Sequence, residues 1–114
     1  MENMNKVEAG LYKSVGKCLK EHNLNYIEDK GYFIINTRFG KWRVRPEHMY
    51  RSKLVTIFTR FDEPENIDKN IFKRFSYNDF SGKLNFHYWN KDKENMLKDF
   101  DMLCGIVATW TNVA

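Results

Sequence analysis

The chain has 114 residues, of which 42% are hydrophobic, 16% aromatic and 30% charged, with a formal net charge of +4. This length and apolar content predict one domain over residues 1–114 whose core needs neither disulfides nor metal, and they exclude a disordered chain. No run of about twenty apolar residues occurs, and charges interrupt the first twenty positions, so we expect a cytoplasmic protein with no membrane span and no secretion signal.

The first half of the chain predicts one helix followed by four strands. Apolar residues recur at helical spacing at the start, and strand-like runs then alternate with turn residues. The predicted elements are a helix at about Asn5–Asn23 and strands at Leu24–Glu28, Tyr32–Thr37, Lys41–Pro46 and Lys53–Phe61. The last of these runs is the longest, and we predict it to form the centre of the sheet.

The second half predicts two helices around one or two strands. Asp62 and Glu65 have the spacing of a capping box, and Pro64 suits a first helical turn. The predicted elements are a helix at Pro64–Phe75, a brief strand at Ser76–Ser81, a strand at Lys83–Trp89 and a helix at Lys91–Ala108 capped by Asn90. The whole order, α-β-β-β-β-α-(β)-β-α, predicts an α+β fold with a single antiparallel sheet of about five strands flanked by N- and C-terminal helices.

Positive charge concentrates between Arg38 and Arg60, where seven cations occur with Glu47 as the only carboxylate. Such a field can attract a polyanion or an acidic protein partner. The candidate binding residues are Arg38, Lys41, Arg43, Arg45, Arg51 and Lys53, and Tyr50 is a candidate aromatic anchor for a partner.

A turn at Phe39-Gly40 predicts which side chains of the second and third strands share a face. The expected cross-strand pairs are Arg38 with Lys41, Asn36 with Arg43, and Ile34 with Arg45. This pairing places the cations on one face and Trp42 in the core on the other. Phe58 and Trp89 are further candidate anchors, although core positions are the simpler interpretation for both.

Most aromatic rings and the cations are therefore predicted to lie on different faces, and only Phe39 at the turn, Tyr50 in the following loop and Tyr32 could join the basic face. Proteins that bind single-stranded nucleic acid present both on one accessible surface, where rings stack on bases and cations neutralise phosphates. The predicted separation weakens a nucleic-acid interpretation, and the signatures of the common RNA-binding domains are absent from the sequence.

No catalytic or cofactor motif with recognised spacing occurs in the sequence, and no cofactor is expected. Cys18 and His22 lie one helical turn apart, but a metal site would also need Cys104 and His87 to converge on them. We expect the two cysteines to be reduced core thiols instead. An enzyme whose site is assembled from distant residues would leave no local signature, so that class stays open.

The element order, with Tyr26-Ile27, Gly31-Tyr32 and Gly82-Lys83-Leu84-Asn85-Phe86, resembles the fold of type III secretion chaperones and of the YbjN-like proteins. The resemblance covers nearly the whole chain. It implies a non-enzymatic homodimer that holds another polypeptide or acts as an adaptor. The secretion chaperones tend to be acidic, whereas this chain is basic, so its partner is expected to be acidic.

Two binding hypotheses follow. In the first, the chain is a chaperone-like or adaptor-like domain that binds a protein partner through apolar anchors. In the alternative, the basic stretch 38–53 binds nucleic acid electrostatically.

Overall fold

The computed structural model describes residues 5–48, 51–75 and 83–111. The helices are α1 (Lys6–Glu21), α2 (Lys69–Phe75) and α3 (Lys93–Ala108), and the strands are β1 (Tyr26–Asp29), β2 (Tyr32–Thr37), β3 (Gly40–Glu47), β4 (Leu54–Phe61) and β5 (Phe86–Trp89). The predicted α+β class and element order are confirmed. The brief strand predicted at Ser76–Ser81 falls outside the described residues.

The five strands form one antiparallel sheet in the order β1-β2-β3-β4-β5. Each strand therefore pairs with its neighbour in the chain, and β3 lies at the centre. The prediction that Lys53–Phe61 forms the centre is wrong, because the corresponding strand β4 is second from the edge and pairs with the four-residue β5.

The core lies between one face of the sheet and the helices α1 and α3. Trp42 of β3 is fully buried there. Its ring stacks on Phe61 at a centroid distance of 5.6 Å and on Phe100 of α3 at 5.8 Å. From α1, Leu11, Val15 and Leu19 join the same core. Burial of these large side chains is the main source of stability in a domain of this size.

The helix α1 matches its prediction to within two residues at each end. The Asn5 side chain caps it by accepting a hydrogen bond from the Glu8 backbone N–H at 2.9 Å. The helix ends before Asn23, which has a φ of 58° and so turns the chain toward β1. Gly16 is buried, and a Cβ built there would lie 3.4 Å from the Phe33 ring, so this glycine sits where α1 approaches the sheet closely.

The predicted helix Pro64–Phe75 is divided into two pieces, and its capping box does not form. Pro64–Asn66 is a single 3-10 turn without a side-chain cap, and α2 begins only at Lys69. Asp62 does not cap this segment because its carboxylate accepts a hydrogen bond from Arg43 on β3.

The predicted cap of the last helix is also wrong. Asn90 is the first residue of a 3-10 turn that runs to Asp92, and α3 starts at Lys93. On the sheet-facing side of α3, Met96, Phe100 and Leu103 are fully buried. Within the described residues, none of the helices combines the length and apolarity needed to cross a membrane.

Gly10 offers a test of the stability of α1. It is exposed in the helix interior, and a Cβ built there has no atom within 4 Å. Because glycine is about 1 kcal/mol less favourable than alanine in a helix, Gly10→Ala should raise the free energy of unfolding by up to that amount. Urea denaturation followed by circular dichroism measures the change.

The matched variant Gly40→Ala should have the opposite effect. Gly40 has a φ of +81°, and a Cβ there would lie 2.9 Å from the Asp62 Cβ. A loss of stability for Gly10→Ala, or no loss for Gly40→Ala, would contradict this description of the two positions.

Candidate functional site

The sheet has a second face, opposite α1 and α3, which we call the outer face. Its residues alternate along each strand with the buried ones, as the two-residue period of a strand requires. They are Ile27 and Asp29 on β1; Tyr32, Ile34 and Asn36 on β2; Lys41, Arg43, Arg45 and Glu47 on β3; Leu54, Thr56, Phe58 and Arg60 on β4; and Lys83, Asn85, His87 and Trp89 at β5. None of these residues is buried, and no described helix covers the face.

The pairing of β2 with β3 differs from the prediction by two residues. Ile34 faces Arg43 and Asn36 faces Lys41, because Thr37 pairs with Gly40 at the hairpin end. A shift of two residues keeps every side chain on its predicted face, whereas a shift of one would have exchanged the faces. The core and solvent sides of these strands were therefore predicted correctly, while the pairs were not.

Three cations stand directly opposite one another across the outer face. Arg43 on β3 pairs in register with Arg60 on β4, and Arg60 faces Lys83 across an isolated antiparallel bridge. We call these three residues the cation row. Like charges directly opposite each other destabilise a sheet, so the row lowers the stability of the isolated protein.

A second set of side chains lies beside the cation row. The Arg45 guanidinium lies over the Tyr32 ring, 5.4 Å from its centroid, and Arg45 faces Phe58 in register. His87 meets Phe58 edge to face at 5.9 Å, and its Nδ1 is 3.0 Å from the Thr56 hydroxyl. We call Tyr32, Arg45, Phe58 and His87 the stacking cluster. Its members on β3 and β4 are two residues from the cation row, a separation of roughly 6–7 Å.

The prediction that most rings and cations lie on different faces is therefore wrong, although Tyr32, one of the three rings expected to be able to join the basic face, does lie there. The prediction rested on the register of β2 and β3, where Phe33 and Trp42 do belong to the core. Phe58 lies on the outer face and Trp89 is 53% exposed, so the core interpretation of these two residues is also wrong. The alternation of β4 explains the position of Phe58. The buried residues of the strand are Val55, Ile57, Thr59 and Phe61, and Phe58 lies between two of them on the opposite face.

The six predicted basic residues do not form one continuous site. Lys41, Arg43 and Arg45 are together on the outer face. Arg38 lies in the turn after β2, at one end of the sheet, with its guanidinium 5.1 Å from the Phe39 ring centroid. Phe39 itself packs on Trp110, at a centroid distance of 5.0 Å, and so does not contribute to the outer face.

The remaining predicted residues belong to the connection between β3 and β4. Arg51 and Lys53 are exposed there, at the other end of the sheet from Arg38. The candidate anchor Tyr50 falls outside the described residues.

Three residues of the outer face were not predicted as binding residues: Arg60, Lys83 and His87. Phe58 and Trp89 were named as candidate anchors, but core positions were the simpler interpretation for both. Arg60 was counted among the cations between Arg38 and Arg60 but was not assigned to a face. The alternation Leu54, Thr56, Phe58, Arg60 against the apolar β-branched positions of β4 was the available signal. Lys83 could not be found in this way, because its place opposite Arg60 depends on a pairing across the intervening α2 segment.

Carboxylates also occupy the edges of the outer face. Asp29 lies on β1 and Glu47 at the end of β3, and Asp62 follows β4 with its carboxylate bonded to the Arg43 guanidinium. The Arg43 and Asp62 side chains are 38% and 36% exposed, so water screens this pair substantially. One cation of the row is thus partly neutralised by an internal carboxylate.

A groove on the other side of the molecule runs between α1 and β1, with a volume of about 550 Å³. Tyr12, Tyr26 and Phe33 line it together with Lys13, Lys17, Lys20, Glu21 and Glu28. Burial and the nearby Glu28 carboxylate raise the pKa of Tyr12 to about 12. Acidic and basic side chains are mixed along this groove, so it lacks the concentration of one charge that distinguishes the cation row.

The two cysteines lie at the α1–α3 contact and have no features of reactive thiols. Burial and the Asp101 carboxylate raise the pKa of Cys18 to about 11, and burial raises the pKa of Cys104 further. His22, one turn after Cys18, bonds through Nε2 to Asp101 Oδ1 at 2.9 Å. Among the described residues, no three His, Cys, Asp or Glu side chains are placed to hold a metal ion.

Comparisons of the chain with models of protein families, with curated proteins and with solved structures find no match. The function proposed below is therefore inferred from the outer face itself.

Thiol chemistry provides a test of the α1–α3 contact. A pKa of about 11 leaves Cys18 with roughly a hundredfold less thiolate near neutral pH than a cysteine at the reference value of 9.0. We expect both cysteines of the folded protein to react slowly with a thiol reagent at pH 7, and the Cys18 rate to keep rising up to about pH 11.

The same reagent applied to urea-unfolded protein is the control, because both thiols should then react at the rate of ordinary cysteines. Rapid labelling of the folded chain at neutral pH would show that the contact between α1 and α3 opens far more readily than its burial implies.

Proposed function

We propose that the outer face binds single-stranded nucleic acid, with phosphates on the cation row and bases on the stacking cluster. The observation that carries the proposal is the cation row. Arg43, Arg60 and Lys83 stand opposite one another at a cost in stability, and an anionic ligand bound along the row would offset that repulsion.

The stacking cluster supports bases as the second part of the ligand. Aromatic rings bind unstacked bases without much regard to sequence, and guanidinium planes do the same. Tyr32 and Arg45 present a ring and a guanidinium together, and Phe58 with His87 presents two rings. The cation row would bind phosphates and the stacking cluster would bind bases, and the two sets are separated by two residues along a strand.

A single strand fits this arrangement better than a duplex. The bases of a duplex are stacked inside the helix and cannot lie against rings on a broad sheet, whereas its phosphates remain accessible. We therefore expect the cation row to contribute to both ligands and the stacking cluster to single strands alone.

A protein partner is the second candidate, and it follows the resemblance to chaperone-like and adaptor-like homodimers. Specific support comes from aliphatic side chains that cannot stack on bases: Ile27 is 63% exposed and Leu54 is 45% exposed. Leu54 lies directly opposite Trp89, and tryptophan and arginine are common anchors of protein interfaces. An acidic partner would complement the basic part of the same face.

The first prediction of the proposal concerns salt. Fluorescence anisotropy should show micromolar binding of labelled single-stranded oligonucleotides that falls at least tenfold between about 50 and 200 mM salt, with weaker binding of duplexes. Replacing Arg60 and Lys83 by alanine should reduce the slope of log affinity against log salt by about 1.4, the value for two phosphate contacts on a single strand.

Two further variants separate charge from stacking. Lys13→Ala with Lys20→Ala removes two exposed cations from α1, on the other side of the sheet, and should change the slope little. Phe58→Ala should weaken binding by about 1–3 kcal/mol without changing the slope. If neither single strands nor duplexes bind at low salt, the proposal is wrong.

The second candidate makes a different prediction, which light scattering after size-exclusion chromatography can check. If the exposed aliphatic residues form a homodimer interface, the protein should elute with the mass of a dimer, and Ile27→Glu or Leu54→Glu should return it to a monomer. The dimer should persist at high salt, because apolar contacts respond little to ionic strength. A wild-type monomer at all protein concentrations would exclude the homodimer.

A further inference from the structure

We infer that Asp62 is an affinity-setting residue of the outer face: its carboxylate occupies Arg43 in the free protein and competes there with an incoming phosphate. This inference deepens the proposed function and depends on it. It assigns the three cations of the row unequal parts, although they look equivalent in the register of the sheet.

The position of Asp62 follows from the end of β4. Its backbone N–H donates to the Lys41 carbonyl at 3.0 Å, which continues the β3–β4 ladder one residue beyond the strand. Asp62 is two residues after Arg60, so its side chain is directed to the same face. From there it lies diagonally across from Arg43, which is the distance that a long arginine side chain spans.

The contact itself is a charge-assisted hydrogen bond. The Arg43 guanidinium donates to Asp62 Oδ1, and both side chains are a little more than one-third exposed. A carboxylate held in this position is always present at the cation, whereas a phosphate must arrive from solution. A phosphate that takes the same N–H group must displace Asp62, and a phosphate at the other N–H groups of Arg43 lies beside the Asp62 negative charge, so the gain from binding Arg43 is reduced in either case.

Arg60 and Lys83 differ from Arg43 in this respect. Among the described residues, no ion pair is formed by either of them, and both side chains are exposed. They are the cations that a phosphate meets first. Arg43 contributes less to phosphate binding than the other two cations, because the Asp62 carboxylate competes for it.

The test is the affinity of Asp62→Asn for a labelled single-stranded oligonucleotide, measured by anisotropy over a range of salt concentrations. Removing the competing charge should tighten binding by about two- to fivefold, which corresponds to the free energy of one exposed ion pair. The slope of log affinity against log salt should steepen by about 0.7, because one more phosphate contact becomes effective. Glu94→Gln is the matched control, since it removes one carboxylate from α3 on the other side of the sheet.

A double-mutant cycle separates competition from a general change in charge or folding. Arg43→Ala should reduce the slope of log affinity against log salt by about 0.7 in the Asp62→Asn background, where the arginine binds phosphate, and should change it little in the wild type, where Asp62 already neutralises the arginine. The thermal stability of each variant is measured in the same buffers. A merely structural role for Asp62 would change stability without this non-additivity.

The outcomes distinguish this inference from the function on which it rests. If the wild type binds and Asp62→Asn binds with the same affinity and slope, the inference fails and the proposed function stands. An equal change of the salt slope on Arg43→Ala in both backgrounds also overturns it. If neither the wild type nor Asp62→Asn binds any oligonucleotide at low salt, both fail together.

Discussion

The burial of Trp42 at the centre of β3 is the constraint on which both faces of the sheet depend. Its ring lies between Phe61 of the neighbouring strand and Phe100 of α3, and it is completely inaccessible to solvent. Because strand side chains alternate, fixing this one residue in the core places Arg43 on the other side of the sheet. The pairing of Trp42 with Phe61 then places Arg60 opposite Arg43. The arrangement of the outer face is thus a consequence of how the core is packed.

The magnitudes explain how the fold tolerates a row of like charges. Truncating a buried tryptophan or phenylalanine costs about 3–5 kcal/mol, whereas exposed like charges across a sheet cost only about 0.2–1 kcal/mol. The burial of Trp42, Phe61 and Phe100 therefore stabilises the register of the strands by more than the repulsion between the cations destabilises it. The repulsion along the cation row is too small to shift the pairing, and it remains available to be relieved by an anion.

Most of the fold could be predicted from the sequence, because its signals are local. Helical spacing located α1 and α3, and alternation located the strands and the buried face of β2 and β3. The exact pairs of β2 and β3 were missed, since hairpin geometry at Thr37 and Gly40 decides them. On β4, the alternation of buried and outer residues could have placed Phe58 and Arg60 on the outer face, whereas Lys83 had no such local signal. The approach of Lys83 to Arg60 depends on the path of the chain through α2, which no local pattern encodes.

Asp62 shows how one wrong local interpretation hides a tertiary contact. In the sequence, Asp62 and Glu65 have the spacing of a capping box. That interpretation assigns the Asp62 carboxylate to a backbone N–H at the start of a helix. In the folded protein the ladder of β3 and β4 extends to its backbone, which leaves the side chain on the outer face beside Arg43. A carboxylate can satisfy either a helix terminus or a guanidinium, and tertiary pairing decided the outcome here. Under the proposed function, the same residue that closes the sheet ladder also limits how strongly the cation row attracts phosphate.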